Sequence, residues 1–204
     1  AYLNSDDLLA PGAVRRVVEY FDKHPDVDAI YSHRVFIDEQ NNMTGYWILP
    51  PHNDRFIERC ALIPQETCFW RRGLWERAGN VNPSYQFAMD HELFVRFMRA
   101  GRMRRIHDFL GAFRVHNASK TQSAYQSVGL PEVNRIKSTY WIQRTFADKV
   151  RSKLTYTLVV HGASAAWKMR QQYLNRGRGW TLGNYDDLWG GWLNRTKTRF
   201  IKAA

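Results

Sequence analysis

The alternation of helical and extended patterns over the first 115 residues constrains this sequence more than any other feature. Apolar residues recur three and four positions apart after Pro11 and again from Asp90 to Ala100, which predicts two amphipathic helices. Segments rich in β-branched and aromatic residues predict strands at residues 28–37, 46–49, 67–70 and 103–115. Such alternation is typical of an α/β core.

The first helix is predicted to begin near Pro11 and to end before Pro25, and a short helix is predicted to stop at Gly79. The apolar face of the first helix is predicted to carry Val14, Val17, Val18 and Phe21. The helix that Asp90 opens ends at Gly101. Its apolar face is predicted to carry Met89, Leu93, Phe94, Phe97 and Met98.

The composition changes near residue 125. Residues 117–129 are polar and predict a loop, whereas helical patterns follow Pro131 and run again from about residue 151 to 175. A basic, Trp-rich tail follows. We therefore predict two regions, an α/β region at 1–125 and a helical, basic, Trp-rich region at 126–204.

The charge balance favours polyanionic partners. Thirty Lys and Arg residues against nineteen Asp and Glu residues leave a net charge of +11, which suits nucleic acid, an anionic membrane face or a phosphate-bearing substrate. Because the basic residues are scattered through every predicted element, we expect no specific nucleic-acid partner. Cys60 and Cys68 fit neither a disulfide framework nor a zinc site, and they indicate free thiols in a reducing compartment.

Three groups of residues could carry chemistry. The first is the acidic pair Asp6-Asp7, which follows an apolar segment predicted to be a strand end. Hard divalent cations prefer oxygen ligands, and Mg²⁺ often uses one or two carboxylates together with substrate phosphates. The alternative is an Asx turn that caps the next helix.

The second group is Asp90, at the start of an amphipathic helix. The helix dipole favours an ionised carboxylate there, which suits a group that accepts a proton. The alternatives are helix capping and, for Glu92 and Arg96, a solvated pair one turn apart. The third group is Arg114 and His116, which would lie on the same side of a strand and could contact a diphosphate and a metal. An ordinary polar strand end is the alternative.

In order and approximate spacing, these groups resemble the pattern of family 2 glycosyltransferases, which have a GT-A fold. Leu3-Asn4-Ser5-Asp6-Asp7, followed by Pro11-Gly12-Ala13-Val14, is similar to that family's metal motif, of the DXD type, and the helix after it. Residues 63–72, 78–79 and 90–101 resemble its acceptor-side segment, and residues 110–116 with Ser119-Lys120 resemble the stretch that closes its core. The resemblance covers residues 1 to about 123.

The resemblance implies transfer of a sugar from a nucleotide-diphospho-sugar donor to an acceptor hydroxyl, with inversion at the anomeric carbon. By position, Asp7 and His116 would hold a divalent cation, Mn²⁺ or Mg²⁺. Asp6 and Arg114 would contact the donor or the metal, and Asp90 would be the general base. Acceptor contacts would come from Gln65, Glu66, Trp70 and His91.

The implied fold class is α/β, a partial GT-A (Rossmann-like, nucleotide-diphospho-sugar transferase) core lacking its N-terminal half, plus a C-terminal helical region. In that family the N-terminal half binds the nucleotide base and ribose, so we expect a missing half or a partner chain before Ala1. The chain has no Gln-x-x-Arg-Trp motif, which predicts a non-processive enzyme.

The family context implies a saccharide or lipid-linked acceptor and a role in cell envelope polysaccharide biosynthesis. It also implies a cytoplasmic location. The composition of the basic, Trp-rich region suits peripheral contact with the inner face of the membrane, and packing of that region across the edge of the first region is the alternative. Two alternatives stay open. The chain could be a catalytically inactive fragment or subunit, or a basic module that binds acidic surfaces or nucleic acid.

Overall fold

The structure, a computed structural model, describes residues 1–54, 57, 63–116, 124–140, 145–147, 150, 153–154, 157–158 and 162. These residues form an α/β fold around a mixed, open sheet of five strands. The strands are β1 (Leu8–Leu9), β2 (Ala29–Ile37), β3 (Met43–Trp47), β4 (Phe69–Trp70) and β5 (Met103–Arg114). The helices are α1 (Ala13–Lys23), α2 (Arg72–Ala78), α3 (Met89–Ala100) and α4 (Leu130–Tyr140).

The central strands of the sheet are β5 and β2. The order is β1-β5-β2-β3, and β4 pairs with the beginning of β2. Strands β2 and β5 are parallel, with Ile37 opposite Arg114, whereas the other pairs are antiparallel. Because β1 pairs Leu8 with Ala112, the residues before β1 lie at the carboxyl ends of the two parallel strands. Open α/β sheets bind their ligands at this edge.

Helix α3 brings its first turn to the same edge. Only two residues, Gly101 and Arg102, separate the end of α3 from the start of β5. So short a connection makes the helix turn back along the sheet, and its N-terminus therefore lies near the carboxyl end of β5. A larger residue at Gly101 would crowd this corner, because a Cβ there would lie 2.7 Å from the Asp28 carboxylate.

Apolar side chains form two clusters, one on each face of the sheet. One contains Ala29 and Tyr31 of β2 together with the buried residues of α3. The other contains Ile30 of β2 together with Val17 of α1. Successive strand residues point to opposite faces, so β2 contributes to both clusters.

Helix α1 confirms the first predicted helix but presents a different face to the core. Ala13 and Val17 are buried, whereas Val14 and Val18 are 58% and 52% exposed. Residues four positions apart share one face of a helix, and the stripe that faces the sheet begins at Ala13. The prediction that Val14 and Val18 face the core is therefore wrong.

Strands β2 and β5 confirm the two long predicted strands, but the short predicted strands are displaced. Strand β3 begins at Met43 instead of residue 46 because the preceding turn closes early, with Asn41 in the left-handed region at φ 64°. Residues Gln65–Thr67 form a 3-10 turn, which leaves only Phe69–Trp70 in β4. Residues 1–4 are irregular and are not the strand end that was predicted.

Helix α4 confirms the helix predicted beyond Pro131. Residues 125–129, predicted as loop, form a π-helical turn that leads into it. Ile136 is fully buried in the same cluster as Leu93 of α3, so this part of the predicted second region packs on the first. The boundary near residue 125 stays a prediction.

Other predictions concern residues outside the described part of the chain. They include the state of Cys60, most of the helix expected from residue 151, and the Trp-rich tail. Cys68 is described and is a free, buried thiol. Among the residues described, no helix has the length and apolar character needed to cross a membrane.

Candidate active site

The acidic pair lies in the turn before β1, and Asp7 points into the protein. The Asp7 N–H donates to the Asn4 carbonyl at 3.2 Å, and the Asp7 carboxylate, only 4% exposed, accepts the Arg114 N–H at 3.0 Å. Burial raises the pKa of Asp7 to about 6 against the lowering effect of that N–H. The charges of Glu66 and Asp6 add to the increase.

Asp6 points the other way and contacts His116. Its side chain is 41% exposed, and the imidazole Nε2 of His116 donates to its Oδ2 at 3.0 Å. A solvent-accessible carboxylate and an imidazole therefore lie together at the edge of the sheet. The structure brings Asp6, and not Asp7, into contact with His116. The metal-ligand roles of Asp7 and His116 stay predictions.

Arg114 binds the acidic turn to the turn between β2 and β3. Its guanidinium donates to the carbonyl of Asp6 at 2.9 Å, to the carbonyl of Asp38 at 2.6 Å and to Oδ1 of Asn41 at 2.7 Å. Three of its five side-chain N–H groups are thus used within the protein. Arg114 therefore holds the acidic turn and the turn between β2 and β3 together, and it also contributes a positive charge to the site.

Arg34 and Glu66 form a bidentate ion pair beside the acidic turn. The Arg34 Nε and Nη2 groups donate to the two carboxylate oxygens of Glu66 at 2.7 and 2.6 Å. Glu66 is predicted as an acceptor contact, but its side chain is 0% exposed. The guanidinium lies 4.5 Å from the centre of the Phe113 ring, in cation–π contact. Glu66 therefore neutralises a buried cation.

Asp90 is the second residue of α3 and is partly buried. Its Oδ1 accepts the backbone N–H of His91 at 2.7 Å. Burial raises the pKa of Asp90 above its ordinary value, although the His91 N–H and Arg34 act to lower it. Such a carboxylate is a stronger base than a solvated one.

The Arg34–Glu66 pair connects the acidic turn to Asp90. Burial acts to lower the pKa of Arg34, but Glu66, and after it Asp7 and Asp90, bring the pKa above its ordinary value. Charge interactions weaken with distance, so Asp7 and Asp90 are near enough to Arg34 to act on its charge, while Glu66 contacts it directly. The acidic turn and the first turn of α3, which are about 80 residues apart in the sequence, are therefore both within electrostatic range of Arg34.

The charges at this site do not cancel. The four carboxylates of Asp6, Asp7, Glu66 and Asp90 face two guanidinium groups, those of Arg34 and Arg114, which leaves two negative charges in excess when all are ionised. Carboxylate oxygens with an imidazole are a donor set that Mn²⁺ accepts readily. Asp6 and His116 therefore offer two donor groups of a kind that a divalent cation accepts. Within the described ranges, no group of three or more His, Cys, Asp or Glu side chains is arranged to hold a metal ion.

The remaining predicted acceptor residues lie at three different places in the fold. Gln65 is buried and donates to the carbonyl of Tyr2. Trp70 stacks on Trp75 with ring centres 5.7 Å apart and is packed against the core. His91 is 7% exposed, and its Nε2 has no hydrogen-bond partner within the described part of the chain. Burial, with a smaller contribution from the charge of Lys137, lowers the pKa of His91 to about 4.

Glu92 and Arg96 are not the solvated pair that the sequence allowed. Glu92 is 1% exposed and accepts two hydrogen bonds from Arg96, at 2.7 and 2.9 Å. Arg96 also donates to the carbonyls of Ala78, Gly79 and Asn80. Arg96 therefore neutralises a buried carboxylate, which would be costly without a charged partner. Its hydrogen bonds to these carbonyls also hold the end of α2 against α3.

Sequence reasoning missed Arg34, which is the centre of the site. One signal was present, since Arg34 interrupts an otherwise apolar and aromatic run in β2. A basic residue within a buried strand usually has an acidic partner. The partner could not be identified, because Glu66 lies 32 positions away, just before the strand predicted at residues 67–70.

The fold and the site define the class of protein. It is an α/β protein whose mixed sheet carries a carboxylate-rich corner, with a helix-borne Asp beside it. Comparison with known proteins adds no family name: no protein-family model matches the chain, and a search of curated proteins found no match.

Proposed function

We propose that this chain carries the metal-binding and general-base half of an inverting, non-processive glycosyltransferase with a GT-A-type core. The donor is a nucleotide-diphospho-sugar and the acceptor is a hydroxyl group. One observation carries the proposal: Asp7 and Asp90 both act on the Arg34–Glu66 pair, while His116 contacts Asp6 beside it. A cation-binding corner and a base at one site are what such a transfer requires.

The corner would hold the donor diphosphate through a divalent cation. Asp6 and His116 present accessible donor atoms, and the buried carboxylate of Asp7 adds negative charge beside them. When bound, the cation neutralises charge that develops on the leaving diphosphate. Oxygen atoms of the diphosphate would complete its ligand shell, as is usual for Mg²⁺ sites with few protein carboxylates.

Asp90 would act on the other side of the reacting bond. Its carboxylate accepts the proton of the acceptor hydroxyl as the oxygen attacks the anomeric carbon. The bond from that carbon to the diphosphate oxygen breaks, and the pair of electrons stays with the diphosphate. Attack opposite to the leaving group inverts the configuration. Partial burial strengthens the base, because it raises the pKa of Asp90.

Arg114 would act mainly by holding the acidic turn. Its side chain donates to Asp6, Asp38 and Asn41, and the resemblance to known transferases would place it against the donor. In this proposal its charge lowers the cost of bringing the diphosphate to the corner, while its contacts keep Asp6 beside His116. The identities of the sugar, nucleotide and acceptor, and the cytoplasmic location, stay predictions.

Manganese binding tests the cation site without knowledge of the sugar. We would titrate the protein with Mn²⁺ and follow free Mn²⁺ by electron paramagnetic resonance, alone and with uridine or guanosine diphosphate. Asp6→Asn keeps an oxygen for His116 but removes one charge, so we expect at least a tenfold loss of affinity. Asp22→Asn, on the exposed side of α1, is the matched control and should bind as the wild type does.

The same titration separates the alternatives. Tighter Mn²⁺ binding in the presence of the diphosphate supports the transferase. Failure to bind Mn²⁺ with or without diphosphate, or equal binding by Asp6→Asn and the wild type, would contradict the proposal and favour an inactive fragment or a basic binding module.

A further inference from the structure

Helix α3, which carries Asp90, begins without a capping side chain of its own. Its N-cap residue is Ala88, and no side chain of the flanking residues makes a cap hydrogen bond. Alanine is among the poorest N-cap residues, and the first N–H groups of any helix need partners. Asp90 stands in this first turn, so its position depends on how the turn is held.

Glu132 of α4, 44 or more positions away, holds the N-cap residue and the two residues before it. One carboxylate oxygen accepts the N–H of Gln86 at 2.7 Å, and the other accepts those of Phe87 and Ala88 at 2.8 Å each. Burial acts to raise the pKa of Glu132, yet the three N–H groups bring it below its ordinary value. The side chain is therefore an ionised clamp on three consecutive backbone amides.

Two further contacts hold the same segment against α4. Arg135 donates to the carbonyl of Ser84 at 2.7 Å, and its guanidinium lies 3.9 Å from the centre of the Tyr85 ring. Phe87 packs directly over Gly129, where a Cβ would come within 2.7 Å of the ring. Residues 84–88 are thus fixed from one side by the start of α4 and the turn before it.

We propose that Glu132 is a positioning residue for Asp90. By holding the amides of residues 86–88, it fixes where α3 begins and keeps the Asp90 carboxylate beside Arg34. What Asp90 does there rests on the proposed function, but the positioning itself does not. The titratable groups whose charges interact with Asp90 are Arg34, Glu66, Tyr2 and Cys68.

The test compares the ionisation of two carboxylates in one spectrum. Protein labelled with ¹³C at the aspartate carboxyl carbons is titrated, and Asp90 and Asp7 are followed separately. Glu132→Gln keeps the shape but removes the charge and places an amide group against N–H donors. The first turn of α3 then loosens and solvates Asp90, so its apparent pKa should fall by at least about half a unit. The apparent pKa of Asp7 should stay the same.

A second readout and two further variants complete the design. Amide hydrogen exchange at residues 86–88 should accelerate by about tenfold or more in Glu132→Gln. Asn134→Ala, on the exposed side of α4, should match the wild type. Arg135 is exposed and holds the same segment, so Arg135→Gln should lower the apparent pKa of Asp90 by a smaller amount. This variant replaces Glu132→Gln as the test if Glu132→Gln does not fold.

The outcomes are distinct. A lower pKa of Asp90 with an unchanged pKa of Asp7 supports the positioning role. An unchanged pKa of Asp90 overturns it. A similar pKa shift at both Asp90 and Asp7 also overturns it, because that would show a general loosening of the structure. No substrate is used, so this result is independent of whether sugar transfer is found, and failure of the Mn²⁺ titration would leave it standing.

Discussion

Replacing Arg34 with methionine should strongly destabilise the protein, because it leaves Glu66 charged and buried without a partner. Both carboxylate oxygens of Glu66 are hydrogen-bonded by Arg34, and the Glu66 side chain has no solvent exposure. Removing one member of a buried pair typically costs about 3–5 kcal/mol. We expect a loss of that size in the free energy of unfolding.

Replacing the other member of the pair, Glu66, should lower the free energy of unfolding by a smaller amount. In Glu66→Leu the guanidinium of Arg34 keeps 15% exposure, the Phe113 ring and the negative charges of Asp7 and Asp90. We therefore expect about 1–3 kcal/mol for Glu66→Leu, close to the cost of an unsatisfied polar group. The double variant replaces both charges with apolar groups and should be no less stable than Glu66→Leu alone.

Urea denaturation, followed by tryptophan fluorescence and by circular dichroism, measures all four proteins. The double-mutant cycle should give a coupling free energy of at least about 2 kcal/mol between positions 34 and 66. Additive effects, with the double variant as unstable as the sum of the singles, would refute the argument that Glu66 is buried and depends on Arg34 for its partner. Equal losses in the two single variants would refute the asymmetry.

Two further predictions concern the same corner. The pKa of Asp7 is raised from 3.8 to about 6, so its protonated form favours folding. The resulting stability, on the order of 3 kcal/mol, is complete below pH 4 and lost as pH rises through 6. In Asp7→Asn this loss between pH 4 and 7 should be absent, and an unchanged pH profile would contradict the burial of Asp7. Gly111→Ala should cost about 1–3 kcal/mol in urea denaturation, because the new Cβ would lie 2.9 Å from the Glu66 carbonyl. Gly45→Ala, with its nearest contact at 3.8 Å, is the control and should change stability little.

The segments that form the site could be predicted from local patterns. Asp6 and Asp7 follow an apolar segment, Asp90 opens a strongly amphipathic helix, and Arg114 with His116 ends a long extended run. Each pattern involves neighbours in the chain, and short-range spacing is what a single sequence reports well. The long elements β2, α3 and β5 were predicted for the same reason.

Contacts between distant segments could not be predicted. The pairing of Arg34 with Glu66 depends on a 3-10 turn that packs on β2, and the clamp of Glu132 on residues 86–88 depends on how α4 docks. Propensity decides neither, because tertiary packing sets both. The sequence placed the start of this helix at Asp90, and nothing local indicated that Glu132 would hold the residues before it.

The bound cation can report directly whether Asp90 shares the site. Paramagnetic Mn²⁺ broadens nearby signals, so ¹³C spectra of labelled aspartate carboxyl groups measure proximity to it. Asp26 is a reference, because it pairs with Arg102 beside the start of β5, whose twelve residues at ~3.3 Å each place it roughly 35 Å from the acidic turn. We predict that Asp6, Asp7 and Asp90 broaden together at low Mn²⁺ while Asp26 stays sharp. Broadening of Asp6 and Asp7 without Asp90, or uniform broadening that includes Asp26, would contradict a single site.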